Sequence, residues 1–390
     1  MDLSHIFNSK KFFSKSFCAV LFSLNSFSAF SQEHTSADTA HAEASVAHAE
    51  GKEKEENISQ IILHHIADSH EWHFFGDVSV PLPVILYTES GFVSFMSNKF
   101  GHSEDGTQLI DPSGVMTSSP GKTGPMLVNY HGKYYYPNFP KKADGTYIAH
   151  DAKGDILNAK PLDISITKNV VSLLVSVFIL LIVFIGIANT YKKREGKAPK
   201  GLQSILEPII LFVRDDIAKP QLGYRYKGFM PYLLTVFFFV WLNNLMGLIP
   251  FFPGGANLTG NIAVTMMLAL CTFVLTTVNG NKNYWGHVFR PHVPWWLYPL
   301  MIPVEIIGLF TKPIALMIRL FANITAGHIL ILSLISLIFI IKSVLVAGVA
   351  IPFVLFISLI ELVVGFIQAF IFTILSALFI GMAVEEHAEH

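Results

Sequence analysis

The chain has 390 residues and is 52% hydrophobic, while only 14% of its residues are charged. That charged fraction is well below the roughly one quarter typical of soluble proteins, which favours a membrane protein. The net charge of −1 leaves no basic surplus for nucleic acid. The two cysteines, Cys18 and Cys271, are too few for a disulfide framework or a zinc site.

The first 31 residues have the pattern of a secretory signal peptide. Three lysines precede a short apolar stretch, and small residues follow it just before residue 32. We predict cleavage close to this point, and an uncleaved N-terminal anchor is the alternative. Residues 32–57 are of low complexity and rich in Ala, His and Glu, which predicts a flexible segment.

Residues 58–165 predict a small periplasmic region with some β-structure. Apolar residues partly alternate over residues 77–95 around a Glu-Ser-Gly turn, so this stretch predicts a β-hairpin. The aromatic run at residues 132–139 predicts a further strand. Pro and Gly interrupt the remainder of the region.

Two patterns in this region resemble ligand sites but are incomplete. The sequence PGKTG at residues 120–124 resembles part of a phosphate-binding loop, but Met116 stands where the first glycine would be needed. Four histidines could bind a metal, but no third and fourth ligand stands out beside the pair at His70 and His73. We therefore interpret them as solvated or packed side chains (His64, His65, His70 and His73), and the sequence predicts neither a metal nor a cofactor.

Beyond about residue 165 the chain is dominated by long apolar runs. Residues 170–189 predict the first membrane span, and the stretch that follows it, residues 191–200, contains five basic side chains. By the positive-inside rule this end is cytoplasmic. The N-terminal region is then outside, which agrees with a signal peptide. Five spans would leave the C-terminus in the cytoplasm.

The middle of the chain predicts a surface helix and two spans. Residues 202–218 have the pattern of an amphipathic helix on the cytoplasmic surface. Residues 231–248 predict the second span and residues 262–278 the third, with a tight outer turn between them. The loop at residues 279–296 contains basic and aromatic side chains, as an inner interfacial loop does.

The last two apolar segments, residues 297–341 and 344–384, are about twice as long as the roughly 20 residues that one span needs. Each could be two short spans, but neither has a turn cluster at its midpoint. We favour two long, strongly tilted helices, kinked near Pro313 and Pro352. The predicted fold is thus an all-α polytopic membrane protein, with a membrane domain over residues 166–390 and about five membrane helices.

These two segments carry polar and charged side chains that are costly in lipid. A charge at the bilayer centre costs about 2.5–3.5 kcal/mol on insertion scales. At about 100° per residue, a stripe of four residues shares one face of the first helix, and two residues share a face of the second. His328 points to another flank of the first helix. The stripe consists of Glu305, Lys312, Arg319 and Asn323, and the second pair is Glu361 and Gln368. Mutual ion pairing that only stabilises the bundle is the alternative to a functional role.

Three motifs in the membrane region resemble a known family. TKPIALMIRLFANITAGHIL at residues 311–330 is similar to the signature of subunit a of the F-type ATP synthase. NNLMGLIP at residues 243–250 resembles its second-span motif, and ELVVGFIQAFIFTILS at residues 361–376 resembles its last helix. The resemblance covers about residues 165–387 with its spacing intact, and it leaves residues 1–160 unexplained.

The resemblance implies a role for each buried polar residue. Arg319 corresponds to the arginine essential for ion translocation, and Asn323 and Gln368 to polar neighbours of the path. Glu305 corresponds to the acidic residue at the inner exit. His328 and Glu361 match two coupled positions, where many bacterial members have the acid first and the histidine second.

The resemblance also implies partners: a rotor ring of c subunits, the peripheral stalk b subunits and the remainder of the ATP synthase in a bacterial inner membrane. This chain itself would carry out no ATP chemistry. An ion-coupled secondary transporter is the alternative, but it would need a substrate site and usually two similar halves, and no internal repeat is visible. A purely structural anchor would leave Arg319 without a purpose. Whether the ion is H⁺ or Na⁺ stays open.

Overall fold

The computed structural model divides into two compact units, residues 29–173 and residues 174–390 with 1–28. The predicted signal peptide, the low-complexity segment, and His64 and His65 lie outside the residues that the structure describes. The described residues are 68–75, 78–89, 91–100, 105–110, 116–117, 126–130, 132–139, 141, 145–151, 156–193, 198–249, 257–291, 293–341 and 343–384.

The first unit contains the predicted β-structure, and its described part has nine strands in three sheets. One sheet pairs β1 with β2, the second has the order β4-β3-β9, and the third has the order β6-β5-β7-β8. The strands are β1 Glu71–Phe75, β2 Val78–Pro81, β3 Pro83–Thr88, β4 Gly91–Met96, β5 Asp105–Ile110, β6 Met116–Thr117, β7 Leu127–Tyr130, β8 Lys133–Tyr135 and β9 Leu162–Asp163. A short 3₁₀ helix, Ser97–Phe100, follows β4.

The hairpin predicted at residues 77–95 is confirmed. Strands β3 and β4 pair antiparallel from Pro83 with Met96 to Thr88 with Gly91, and the predicted turn joins them. Gly91 has a φ of 110°, a backbone conformation that other residues rarely adopt, so the turn depends on a glycine there. Strand β8 confirms the strand expected within residues 132–139.

Strands β7 and β8 separate two small hydrophobic cores. Leu127 packs in the core that contains Val84 and Leu86, whereas its neighbour Val128 packs in the core that contains Leu109. Strand β8 divides in the same way, with successive tyrosines on opposite sides. Because successive side chains of a strand point to opposite faces, one pair of strands covers both cores.

His70 is packed inside this unit. Its Nδ1 lies 3.1 Å from the backbone oxygen of Gly132, and its Nε2 lies 3.0 Å from Oδ2 of Asp163. The ring also contacts Tyr134 edge-on, and the carboxylate of Asp68 adds a second negative charge nearby. Burial alone lowers the pKa of His70, but the hydrogen bond and charge of Asp163 together with Asp68 raise it above its ordinary value.

This arrangement predicts a loss of stability at high pH. Because the folded pKa of His70 lies above the unfolded value of 6.5, its stabilisation is fully present below that pH and is lost as pH rises through the folded pKa. After correction for intrinsic rates, hydrogen exchange at residues 162–166 should become faster as pH rises above about 6.5. His70→Gln, which cannot titrate, should abolish that pH dependence. Equal pH dependence in both proteins would contradict the prediction.

The second unit is a helical bundle. Its described helices are α1 Lys168–Lys193, α2 Leu202–Phe212, α3 Tyr226–Leu248, α4 Ile262–Val278, α5 Lys282–Phe289, α6 Tyr298–Ile341 and α7 Val344–Val384. Short turns complete it: a π-helical segment Val213–Ala218, an α-helical turn Lys219–Leu222, and 3₁₀ turns Gly223–Arg225 and Trp295–Leu297. The first residues of α1 belong to the other unit.

The membrane spans agree with the sequence analysis. Within the described residues, four helices are long and apolar enough to cross a membrane, and a fifth span is obtained if α4 and α5, which are bent by 101°, are counted together. Helix α3 begins five residues before the predicted span and continues through Pro231, which removes one backbone hydrogen bond of the helix. The amphipathic segment at residues 202–218 is helical and packs on α7, where Phe212 contacts Phe366 and Phe370.

Helices α6 and α7 have the predicted length. At 1.5 Å per residue, the 44 residues of α6 extend for about 66 Å, roughly twice the hydrocarbon thickness of a bilayer. Helix α6 continues through Pro303 and Pro313, so the alternative of two short spans is excluded here. The two helices form an antiparallel pair. Lys312 of α6 lies over the ring of Phe379, near the end of α7. Gly327, later in α6, instead contacts Glu361, which comes earlier in α7.

Candidate functional site

Arg319 projects from the uncovered side of α6. Its side chain is exposed, and so is that of Asn323 one turn later, whereas Leu316 and Leu320 are buried against the bundle. Within the described parts of the chain, no carboxylate lies within ion-pair distance of Arg319. A guanidinium that cannot lose its proton is therefore presented on a free face of the hairpin.

Glu361 lies at a close contact between α6 and α7. Its carboxyl group rests against Gly327, at a place that a β-carbon on residue 327 would occupy. Both carboxyl oxygens are buried and have no hydrogen-bond partner among the described residues. A buried carboxyl group without a partner is costly unless water or a proton reaches it. Glu361 is therefore a candidate for binding a proton or water at this position.

The other two predicted residues of this part lie nearby in sequence and space. His328 is half-buried and directly follows the glycine that Glu361 contacts. Gln368 is 5% exposed and lies seven residues after Glu361, on the side of α7 that also carries Gly365. The structure thus brings Glu361 against Gly327, the residue that precedes His328, and it leaves Arg319 and Asn323 on an open face.

A buried amide that the sequence analysis did not single out joins three elements. Asn244 donates from Nδ2 to the backbone oxygen of Gly365, at 2.9 Å, and accepts from Oγ1 of Thr259, at 2.7 Å. A β-carbon at Gly365 would lie 3.1 Å from Cβ of Asn244, so the glycine permits this close packing. Thr259 belongs to the outer turn, and its neighbour Gly260 accepts from Thr325 of α6 at 3.5 Å.

A chain of three hydroxyl groups also crosses the bundle. Tyr232 of α3 lies 2.7 Å from Oγ1 of Thr272 of α4, which in turn lies 3.1 Å from Oγ of Ser376 of α7. Thr272 and Ser376 are both buried. Hydroxyl groups can donate and accept at once, so these three residues link three helices without a charge.

Glu305 and Lys312 mark the opposite end of α6. The Oε1 atom of Glu305 is 3.8 Å from Nδ1 of His287 on α5. Lys312 lines an open recess between α4, α5, α6 and α7 together with Thr272, Thr276 and Tyr284. Although these residues share the sequence stripe with Arg319, they contact neighbouring helices, whereas the side chain of Arg319 is exposed.

The membrane region matches a known family. Residues 170–381 match the family described as ATP synthase A chain. This match covers more than half of the 390 residues.

The chain belongs to that family.

Relatives named ATP synthase subunit a agree with this assignment. The protein of Pelodictyon phaeoclathratiforme is 44% identical over 315 residues, which cover 75% of this chain and 89% of the relative. That of Chloroherpeton thalassium is 48% identical over 233 residues, covering 58% and 69%. That of Myxococcus xanthus is 45% identical over 240 residues, covering 59% and 77%. Together with the apolar helices, the family establishes a multi-pass membrane protein.

The first unit has a match of its own. Residues 61–164 match a family described as a domain of unknown function. The subunit a match begins only at residue 170, so the β-structure lies outside it.

The contact between Gly327 and Glu361 yields a prediction for this subunit. Gly327→Ala should displace the Glu361 carboxyl group, because the new methyl group would overlap it. If Glu361 conducts protons, gradient-driven ATP synthesis should fall several-fold in vesicles that contain the assembled complex. Gly308→Ala is the matched control on α6, since its β-carbon would meet nothing within 4 Å. Equal synthesis in both variants would exclude Glu361 from the path.

Proposed function

We propose that this chain is the stator subunit of the proton channel of an F-type ATP synthase, which couples proton flow to rotation of a ring of c subunits. The observation that carries the proposal is Arg319, a permanently charged side chain on the free face of a long membrane hairpin in a member of this family. An ion pair within the bundle would instead place the guanidinium against a carboxylate.

Arg319 would act on the carboxylate of each passing rotor subunit. That carboxylate must be neutral to cross lipid, because a charge in hydrocarbon is costly. Beside Arg319 its charged form is favoured, so the proton is released there and is regained from the other side. The fixed positive charge also opposes direct passage of a proton between the two aqueous paths. The transmembrane potential supplies about 2.3 kcal/mol per charge per 100 mV, so several protons must cross for each ATP that is made.

Two half-channels can be built from the polar groups of the bundle. The outer path would use Glu361, His328 and the buried Gln368, with the exposed Asn323 close to the rotor. The inner path would use Glu305 and the recess beside Lys312, which Tyr284 of α5 also lines. The uncharged groups around Asn244 would hold water near Glu361, whose oxygens have no partner among the described residues.

The partners follow from the same proposal. The exposed side of α6 that carries Arg319 would contact the c ring, and the peripheral stalk b subunits would hold this chain still against the torque. Co-isolation with a ring of small two-helix subunits would support this assembly over an ion-coupled transporter. A complex purified intact without such a ring would contradict it.

The orientation is proposed from the basic cluster at the end of α1, which by the positive-inside rule favours the cytoplasm for that end of the helix. The bacterial inner membrane would then have the first unit on its periplasmic side and the C-terminus inside. A tag placed after His390 should be labelled by an impermeant reagent only in inverted vesicles. Labelling in right-side-out vesicles would show that the C-terminus is outside and would contradict the proposed topology.

Arg319→Lys should abolish proton-driven ATP synthesis while the complex still assembles. A lysine can lose its proton when buried, whereas the guanidinium is planar and always charged. Arg319→Ala should also stop coupled synthesis and should increase the passive proton leak, because the fixed charge between the paths is gone. Synthesis and leak are measured in the same vesicles, beside co-purification of the subunits. Normal synthesis with lysine would refute the role of Arg319.

The relay pair is tested by exchange. His328→Ala and Glu361→Ala should each slow proton pumping several-fold, because each removes one titratable group from the path. The double exchange of His328→Glu with Glu361→His should recover part of the rate, since both groups are kept. Normal pumping by both alanine variants would make these residues structural.

A further inference from the structure

The outward face of sheet β4-β3-β9 is apolar in three consecutive rows. Its cross-strand pairs align Phe92 with Tyr87 and Leu162, and then Ser94 with Ile85. Hydrogen bonds of 2.9 Å and 3.2 Å continue the pairing beyond β9, placing Ile164 beside Ile85 and Ile166 beside Pro83, opposite Met96. Of these nine positions only Ser94 is polar, and none is charged.

These side chains are open to the surroundings. Phe92 is 73% exposed, Leu162 is 53% exposed and Tyr87 is 50% exposed, and the rings of Tyr87 and Phe92 contact each other edge-on. The opposite face of the same strands fills a core with Val84, Leu86 and Phe95. A sheet with one face in water normally alternates apolar with polar residues, so an apolar outer face indicates a binding surface.

The chain itself indicates what covers this face. The extended segment that begins at Leu162 runs directly into α1, whose first residue is Lys168 and which is long and apolar enough to cross a membrane. At about 3.3 Å per residue, Leu162 lies within about 20 Å of the start of α1. Ile166 is two residues from that start, and the apolar part of the helix begins at Val170. The apolar rows therefore lie close to a helix that crosses the membrane.

The junction between strand and helix is held firmly. The backbone N–H of Lys168 donates to the oxygen of Ser69 at 2.9 Å, and that of Asn169 donates to Oδ1 of Asp68 at 3.1 Å. These bonds tie the first turn of α1 to the segment that precedes β1, and His70 of that segment lies 3.0 Å from Asp163 of β9. The apolar face is thus linked to the first turn of α1.

We propose that this face, formed by β4, β3 and the segment from β9 to Ile166, binds the surface of the lipid bilayer. The aromatic pair Tyr87 and Phe92 lies at the level of the headgroups, where aromatic rings are favoured. Leu162 and Ile164 contact the outer part of the acyl chains. No charge would have to be desolvated when this face binds lipid, because all nine positions are uncharged.

The test uses spin labels on the full chain in the assembled complex, reconstituted in lipid vesicles. In a background with Cys18→Ser and Cys271→Ser, labels are attached to Phe92→Cys and, separately, to Leu162→Cys. The matched control is Phe139→Cys, an exposed phenylalanine that also has one edge-on tyrosine neighbour, Tyr147. Collision with oxygen, which concentrates in lipid, is compared with collision with a water-soluble nickel complex.

The oxygen-to-nickel collision ratio should be several-fold higher at positions 92 and 162 than at position 139. A ratio equal to that of the control would place the face in water and overturn the proposal. Protection from both reagents would show that protein covers the face, and it would also overturn the proposal. Because two positions are labelled separately, a disturbed fold at one of them leaves the other to decide.

Discussion

Close helix approach at glycines is the constraint on which the rest of the membrane unit depends. Helix α7 meets α6 at Gly327, α3 through Gly365, and the turn before α3 through Gly381, and at each point a β-carbon would meet a neighbouring atom. At Gly381 that atom is the backbone oxygen of Gln221. Small residues allow such contacts, which replace the hydrophobic driving force that lipid does not provide. They fix the height and rotation of α7 relative to its neighbours.

This fixed frame separates two kinds of polar side chain. Glu361, Gln368 and Ser376 are held on covered faces of α7, where their positions are set by packing. Arg319 and Asn323 lie on an exposed face of α6, where a partner outside the bundle could contact them. In the proposed channel this division has a use, because a stationary proton path must meet a moving partner at one place.

The sequence was sufficient for the large features of the fold. Alternating residues and a glycine turn predicted the hairpin of β3 and β4, and the lengths of the last two apolar segments predicted α6 and α7. Charged residues in those segments predicted the candidate site, because a charge in an apolar run is conspicuous. The family match begins at residue 170, which agrees with the change in composition near residue 165.

The remainder could not be predicted from one sequence. Asn244 and Thr259 are uncharged and stand among many similar residues, so only their mutual distance reveals the link to Gly365. Helical periodicity placed Glu305, Lys312 and Arg319 on one stripe, but it could not show that neighbouring helices cover the first two and leave the third open. The role of Gly327 depends on a contact between residues 34 positions apart, which no local pattern contains.

The division of two cores by β7 has a further consequence for how the first unit finds its register. A slip of one residue would exchange Leu127 and Val128 between the cores, and since both are apolar, the hydrophobic pattern alone would oppose that slip only weakly. The alignment must then come from elsewhere. Gly132, with a φ of 72°, shapes the turn between β7 and β8, and its backbone oxygen is bound by His70 from a distant part of the chain. The hydrogen bond from His70 to Gly132 therefore helps to fix the register of the strand pair that both cores share.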